Sequence, residues 1–386
     1  MVEKSQGKTI KEYQEAIKKN PKDDRAYNDL GNAYYGEGKY EEAIKQYKQA
    51  RDLKPEEAIY SSNIGDAYRA LRNWDEAIKN YKNALEINPK DDWSYNSLGI
   101  IYYRKGEYPE SIKNYEEAIN INPSHVYYTN IGDSYRMQGN WDRAILYYEE
   151  AISANEEYDP AHNAIGVAYY SKREYEKAIH HYSRAVQIKP DSVYYSNLGD
   201  AYGAMGNWDE AIKNYKEAIK MNPQDDLSYN GLGNAYFGLR LYSKAIEQYE
   251  MAKSITEHPI YFSNIGDANR RLKKWDKAIE YYQLAIKKAK EANTSDEIFR
   301  NSLGLAYNDR GVEFYEKKED DKAIADYKEA IKFNSEDPVI HHNLYLVYNA
   351  KNMYKEADKS LHKAIELDPN NPIYAEELKA LGAKIH

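Results

Sequence analysis

The sequence contains no cysteine, which removes disulfide frameworks, thiolate metal sites and thiol nucleophiles from consideration. It also lacks any apolar run approaching the roughly 18 residues that mark a membrane-crossing helix. An excess of positive charge is missing as well: 54 Lys and Arg stand against 63 Asp and Glu, for a net charge of −9. Because both signs are interspersed and phosphate binding needs clustered cations, nucleic acid is not an expected partner, and neither is a membrane. The opening MVEKSQGKTIKEYQEAIKKNP is polar, with helical spacing and no apolar secretory core, so the compartment is set only by a cytoplasmic default. What is abundant is tyrosine, with 42 in 386 residues, far from an average composition.

Internal periods organise the chain. Pro21, Pro55, Pro89 and Pro123 are each 34 residues apart, and Pro190, Pro223 and Pro369 continue the frame with slips of one. Gly31, Gly65, Gly99, Gly132, Gly166, Gly199, Gly233 and Gly266 recur at 33 or 34, each after Leu or Ile and each followed three residues later by Tyr, or by Asn269 in the last. Tyr27, Leu30, Gly31 and Tyr34 fall on one face of a helix, as do Tyr40, Ala43, Tyr47 and Ala50, and a turn between them makes each unit a helical hairpin. Pro55 stops the second helix. In this reading Gly31 and Ala43 let two helix backbones approach, with Tyr34 and Tyr47 filling the space beside them. Neither helix buries its apolar face alone, so successive hairpins must stack. A longer period of 67 links Trp74, Trp141, Trp208 and Trp275, and likewise Asp66, Asp133, Asp200 and Asp267. It reads either as duplication of a two-hairpin block or as a periodic ligand or self-contact.

The string YNDLGNAYYGEGKYEEAIKQYKQARDLKP resembles the tetratricopeptide repeat, whose pattern places a large aromatic, Leu-Gly, Tyr, Ala, an aromatic, Ala and a final Pro over 34 residues. The pattern recurs about ten times, with units beginning near Asp24, Ala58, Asp92, His125, Asp159, Ser192, Asp226, Pro259, Gly304 and Pro338. The resemblance implies an all-α, right-handed α-solenoid of about ten helix-turn-helix repeats with half-repeats at both ends. The expected divisions are a half-repeat helix over 1–23, eight tandem repeats over 24–286, a repeat with lengthened helices over 287–337, a divergent last repeat over 338–371 and a half-repeat helix over 372–386. Near the lengthened repeat Gly304 and Gly311 compete for the recurring glycine position.

The resemblance further implies a ligand on the concave side, lined by first helices. The family's groove positions fall on Asn28, Asn96, Asn163, Asn230 and Asn308 in odd units, followed by Tyr35, Tyr103, Tyr170, Phe237 and Tyr315. In even units they fall on Asn63, Asn130, Asn197 and Asn264, then the 67-residue Asp row, then Arg69, Arg136 and Arg270. An asparagine amide both donates and accepts, so such a ladder bonds the main chain of an extended peptide, with aromatics adding contact area and Arg selecting acidic side chains. It resembles the ladder in the repeat arm of O-linked N-acetylglucosamine transferase. The competing reading has these asparagines bonding their local backbone, Asp66 and Arg69 forming a surface ion pair, and the aromatics packing half-buried. The carboxylate clamp of chaperone adaptors is not reproduced, because Asn28, Ser62 and Asn96 stand where its first lysine is required.

No catalytic constellation emerges, so the chain reads as a non-enzyme that needs no cofactor. Gly7-Lys8-Thr9 imitates the end of a phosphate loop, but Val2 stands where the earlier glycine belongs, and no strand precedes it. His180-His181 and His341-His342 are adjacent pairs without helical metal-ligand spacing, and read as surface or interface histidines. The expected function is a protein-interaction scaffold holding an extended peptide. One alternative is head-to-tail stacking of the terminal half-repeats, through Tyr13, Ala16 and Ile17 at one end and Ile373, Leu378 and Leu381 at the other. Such a heterologous contact builds an open filament and a homo-oligomer. The competing reading is that the halves are caps or cut ends, and Lys379 at the small glycine position favours it. A further alternative is the recruiting arm of a larger enzyme.

Overall fold

The computed structural model describes residues 9–385, and every regular element among them is an α-helix. Gly7, Lys8 and Val2 lie outside the described residues. Thr9 caps the first helix, Ile10–Lys19, in a reciprocal box with Glu12, which satisfies two otherwise orphaned backbone donors. No helix among the described residues is long and apolar enough to cross a membrane.

The chain divides into two compact units, with the boundary after Pro190, inside the run 24–286 that the repeat frame treats as continuous. In the first unit the Ile10–Lys19 helix is followed by five hairpins: Asp24–Gly36 with Tyr40–Leu53, Ala58–Ala70 with Trp74–Ile87, Asp92–Arg104 with Tyr108–Ile121, His125–Met137 with Trp141–Ala154, and Asp159–Ser171 with Tyr175–Ile188. The second unit holds hairpins six to ten: Ser192–Ala204 with Trp208–Met221, Asp226–Gly238 with Tyr242–Ile255, Pro259–Arg271 with Trp275–Glu291, Glu297–Glu316 with Asp320–Phe333, and Pro338–Ala350 with Tyr354–Leu367. A last helix, Pro372–Ile385, follows. Within each unit every hairpin packs against the next.

One contact recurs inside hairpins one to nine and explains both the glycine and the tyrosine periods; in the tenth, Tyr345 and Leu361 stand at the two places. The ring of Tyr47 lies against Gly31, so closely that a Cβ there would stand 2.5 Å from the ring. Gly132 with Tyr148, at 2.5 Å, and Gly266 with Tyr282, at 2.8 Å, repeat it. The glycine therefore admits an aromatic ring from the second helix, which sharpens the expected role of bringing two backbones together. These second-helix rings are buried, with Tyr81, Tyr148 and Tyr282 fully excluded from solvent. The same contact identifies the glycine of the ninth hairpin: a Cβ on Gly311 would stand 2.8 Å from Tyr327. Gly304 instead faces Phe333 and Asn334.

The frame set by Gly311 makes Gly304 the nominal start of the ninth unit, yet its first helix begins two turns earlier, at Glu297. The extra residues are shared between two hairpins, across the expected boundary at 287. No proline follows Ile286 to stop the preceding helix, which runs on to Glu291, and Asn293 turns the chain in the left-handed region at φ 52°.

Candidate functional site

The first helices carry the candidate site. Four pairs of the row asparagines bond to one another across hairpins. In the first unit Asn63 Nδ2 donates to Asn28 Oδ1 at 2.7 Å, and Asn130 Nδ2 donates to Asn96 Oδ1 at 3.1 Å. In the second unit Asn264 donates to Asn230 at 2.7 Å and Asn343 donates to Asn308 at 2.9 Å. Asn163 and Asn197 have partners of their own. Each pair runs from an even hairpin to the odd one before it. A second link follows the same course: Tyr127 donates to Asp92 at 2.8 Å and Tyr261 to Asp226 at 2.9 Å, and Tyr60 binds Asp24 in the same way. Within each unit the odd-to-even junctions thus share the asparagine pair. Two of the even-to-odd junctions use serines instead, Ser62 with Ser94 at 2.9 Å and Ser196 with Ser228 at 3.1 Å.

Pairing leaves part of each amide available. The Oδ1 of the even asparagine is the acceptor the pair does not use, and the Nδ2 of the odd asparagine is the donor group it does not use. Except for Asn96, which is buried, these side chains are only partly covered.

The acidic row has a role inside the hairpin. Tyr81, Tyr148, Tyr215 and Tyr282 donate their hydroxyls to Asp66 at 2.6 Å, Asp133 at 2.8 Å, Asp200 at 2.6 Å and Asp267 at 2.7 Å. The ring thus sits on the glycine while the hydroxyl reaches the next residue. Burial pushes the phenols of Tyr148 and Tyr282 well above their ordinary range. Arg69 and Arg136 pair with Asp66 at 3.1 Å and Asp133 at 3.3 Å, whereas Arg270 crosses to Asp309 of the next hairpin at 2.8 Å. All three guanidiniums are already engaged by carboxylates of the chain. At the corresponding place in the sixth hairpin stands Gly203.

The aromatics of the odd hairpins pack within their own hairpin. Tyr35 meets Tyr40 edge-on at 5.2 Å, Tyr103 meets Tyr108 at 5.8 Å, Phe237 meets Tyr242 at 5.1 Å, and Tyr170 meets Tyr175 at 5.4 Å in a tilted contact. Tyr315 has the Lys318 ammonium 5.6 Å from its ring centre. Each ring is partly open, so it offers a face as well as closing the turn.

The sequence reading missed an apolar row beside the asparagines. Ile59, Trp93 and Val126 are 39 to 53% exposed in the first unit. Val193, Leu227, Ile260, Val339 and Ile373 are 36 to 68% exposed in the second. Each is the second residue of a first helix, or of the final helix. Except for Ile373, each precedes its asparagine by three or four residues, as Ile59 precedes Asn63 and Leu227 precedes Asn230, so the two rows share a helix face. Trp93 Nε1 donates to Asp66 Oδ2 at 3.1 Å, tying this row to the acidic one. The signal was the recurrence of Ile, Trp, Val and Leu one position into most units, with Arg25 and Pro160 there in the first and fifth. Asn343 was also missed, although it holds the same place in the tenth hairpin.

At the ends of the chain, one expectation is corrected. Leu381 is 1% exposed and belongs to the core that includes Tyr348 and Leu361, with Leu378 packed against it. The final helix uses its apolar face on its own unit, so Leu381 is not free for a neighbouring molecule. Ile373 is exposed, and Tyr13, Ala16 and Ile17 are partly buried.

Comparison with known proteins agrees with the repeat frame. A TPR repeat model matches residues 6–38, 31–71, 65–106, 199–239 and 311–348. Tetratricopeptide repeat models match 92–157, 129–193, 340–371 and 263–291. The chain is 23% identical over 217 residues to Hsp70-Hsp90 organizing protein 2 of Arabidopsis thaliana, covering 53% of this chain and 35% of that protein. It is 25% identical over 214 residues to the Hsp70-Hsp90 organizing protein of Triticum aestivum, covering 53% and 34%. The chain thus spans about a third of the length of these curated relatives. Among solved structures, that of the MamA protein is 29% identical with a TM-score of 0.40, covering 44% of this chain and 94% of that one. Taken together, the repeat models run over most of the sequence, and the chain belongs to the tetratricopeptide repeat family.

Proposed function

We propose that the chain is a non-catalytic protein-interaction scaffold whose first helices hold an extended peptide. The observation that carries this reading is the pairing of asparagines, Asn63 with Asn28 and Asn264 with Asn230 among them. Each pair orients its members and leaves one amide donor group and one carbonyl acceptor uncommitted. That combination matches the C=O and N–H of an extended main chain and is indifferent to its side chains. The neighbouring row of Ile59, Trp93 and Val126, exposed on the same helix faces, supplies apolar contact. The favoured ligand therefore carries apolar side chains along one edge. Because Arg69, Arg136 and Arg270 are engaged by Asp66, Asp133 and Asp309, selection of acidic side chains requires displacing those pairs, and we assign it no leading role.

The partners for which the Hsp70-Hsp90 organizing proteins are named are not extended to this chain. Ser62, one of the residues at the clamp-lysine position, is buried and bonded to Asp91 at 2.8 Å.

The test is a peptide array of extended sequences with and without alternating apolar residues, followed by anisotropy titration of the best binders. Val126→Asp and Ile260→Asp are expected to weaken apolar binders by about tenfold or more, since burying an unpaired charge costs well over 1.4 kcal/mol. Asn130→Ala is expected to weaken all binders alike. Binding that tolerates all three changes, with helicity intact, rejects the groove.

A further inference from the structure

In hairpins two, four and eight the carboxylate after the recurring glycine is compensated by arginines of the chain. Asp66 accepts from the Tyr81 hydroxyl at 2.6 Å, from Arg69 at 3.1 Å and, through its other oxygen, from the Trp93 indole at 3.1 Å. Asp133 accepts from Tyr148 at 2.8 Å and Arg136 at 3.3 Å, and the charges of Arg270 and Arg271 act on Asp267. The sixth hairpin, Ser192–Ala204 with Trp208–Met221, departs from this pattern. Asp200 Oδ1 accepts from Tyr215 at 2.6 Å, but Gly203 stands in the place of Arg69 and Leu227 in the place of Trp93. Two of the three donors that converge on Asp66 are thus replaced by side chains with nothing to donate. Asp200 is exposed, whereas Asp66 and Asp133 are partly covered. Among the described residues the charge that acts on it is the like charge of Asp225, so the local potential is negative.

Packing does not demand glycine at 203. A Cβ there would meet nothing nearer than Trp208 at 3.7 Å and the Tyr215 hydroxyl at 4.0 Å, whereas a Cβ on Gly199 would stand 2.7 Å from the Tyr215 ring. The place of the missing guanidinium is therefore open space, bounded by a carboxylate, a phenol and an indole. Trp208 is held in turn against Gly238 of the seventh hairpin, where a Cβ would stand 2.5 Å from the indole. Hairpins two and four show what such a place accepts, a guanidinium at 3.1 and 3.3 Å from the carboxylate. Asp200 follows Asn197 by three residues, about 4.5 Å further along the same helix face. A side chain leaving a main chain seated on the asparagine row thus arrives at it.

Resting on the groove reading above, we propose that Asp200 is a specificity position at which the extended ligand supplies the guanidinium that the sixth hairpin lacks. The peptide then carries one arginine at a fixed place among its apolar side chains. Arginine is favoured over lysine because its planar fork donates to the open carboxylate oxygen while its face lies on the Trp208 indole. The contact also sets the register. Main-chain bonds to asparagines are indifferent to side chains and let a peptide shift along the row, whereas a single uncompensated carboxylate holds one residue of it in place.

Alternating Val-Ser peptides with a single Arg at each position in turn, and matched Lys and Gln series, are titrated by fluorescence anisotropy into the full chain, Asp200→Asn and Gly203→Arg. In the wild type one position is expected to favour Arg over Gln by about tenfold, the effect of one charge-assisted hydrogen bond, with Lys between them. Asp200→Asn keeps an acceptor for Tyr215 and is expected to remove the Arg advantage while leaving the Gln peptide unchanged. Gly203→Arg supplies the guanidinium from the chain itself and is expected to remove the advantage too. Circular dichroism checks that each variant keeps its helicity. If Asp200→Asn unfolds, Gly203→Arg decides, since hairpins two and four hold arginine at that place. Peptides that bind without preferring Arg to both Gln and Lys, or a preference that survives both changes, overturn this proposal and leave the groove standing. Failure of every peptide to bind removes the groove reading, and this proposal with it.

Discussion

Odd and even hairpins are built on the same steric contact and differ in how they finish it. In both, a second-helix tyrosine lays its ring on a first-helix glycine, as Tyr47 does on Gly31 and Tyr148 on Gly132. In hairpins two, four, six and eight the hydroxyl ends on a carboxylate, Asp66, Asp133, Asp200 or Asp267. In the first and seventh it ends on a neutral amide, as Tyr47 does on Asn32 and Tyr249 on Asn234, both at 2.9 Å, whereas Ile100, Val167 and Val312 hold that place in the third, fifth and ninth. Packing repeats about every 34 residues through the ninth hairpin, and the carboxylate acceptor every 67. Shape complementarity is therefore common to these nine hairpins, while the acceptor of the tyrosine hydroxyl distinguishes them.

The largest effect removes what the two classes share. Tyr148→Ala and Tyr115→Ala are each expected to destabilise their hairpins by about 3–5 kcal/mol, because a fully buried ring leaves a cavity. Hydrogen-exchange protection of the affected helices measures this, and a large difference between the two breaks the idea of a common contact. A smaller effect separates the classes. Tyr148→Phe and Tyr282→Phe remove a hydrogen bond to a charged acceptor and should cost about 1.5–3 kcal/mol, against about 1 kcal/mol for Tyr47→Phe and Tyr249→Phe. Urea midpoints of the four variants test the order.

The smallest effect depends on pH. Burial raises the carboxyl of Asp267 above its usual value of 3.8, against the opposing Tyr282 hydrogen bond and the charges of Arg270 and Arg271. A carboxyl whose folded value is raised takes up protons on folding, so the wild type gains stability relative to Asp267→Asn as pH falls from 7 through that folded value. The gain levels off below about 3.8, where the unfolded chain is protonated too. Thermal midpoints of both proteins between pH 7 and pH 3 provide the measurement, and a difference independent of pH contradicts it.

Much of this architecture is legible in the sequence because its signals are periodic. Gly31, Gly65 and Gly99 announce the hairpins, since an aromatic ring must rest on a residue without a side chain, and Pro55 and Pro89 announce where the second helices stop. The expectation at Leu381 failed because an end helix with an apolar face, read alone, cannot reveal that Tyr348 and Leu361 of the same chain cover it. The asparagine rows were visible, but their pairing was not, because Asn28 and Asn63 meet only after two hairpins stack. His162 and His181 lie on different helices of one hairpin, so their contact shows only once the hairpin closes.

The glycine–tyrosine contact also bears on how the chain folds. Tyr47 follows Gly31 by sixteen residues, so closing each hairpin joins positions that are near neighbours along the chain. Closure of a loop of about ten residues takes on the order of 10–100 ns, and a low average separation between contacting residues favours rapid folding. The links that stack one hairpin on the next reach little further, with Asn28 to Asn63 spanning 35 positions. Each unit can therefore start folding at any hairpin and extend outward in both directions, without waiting for its distant end to be synthesised.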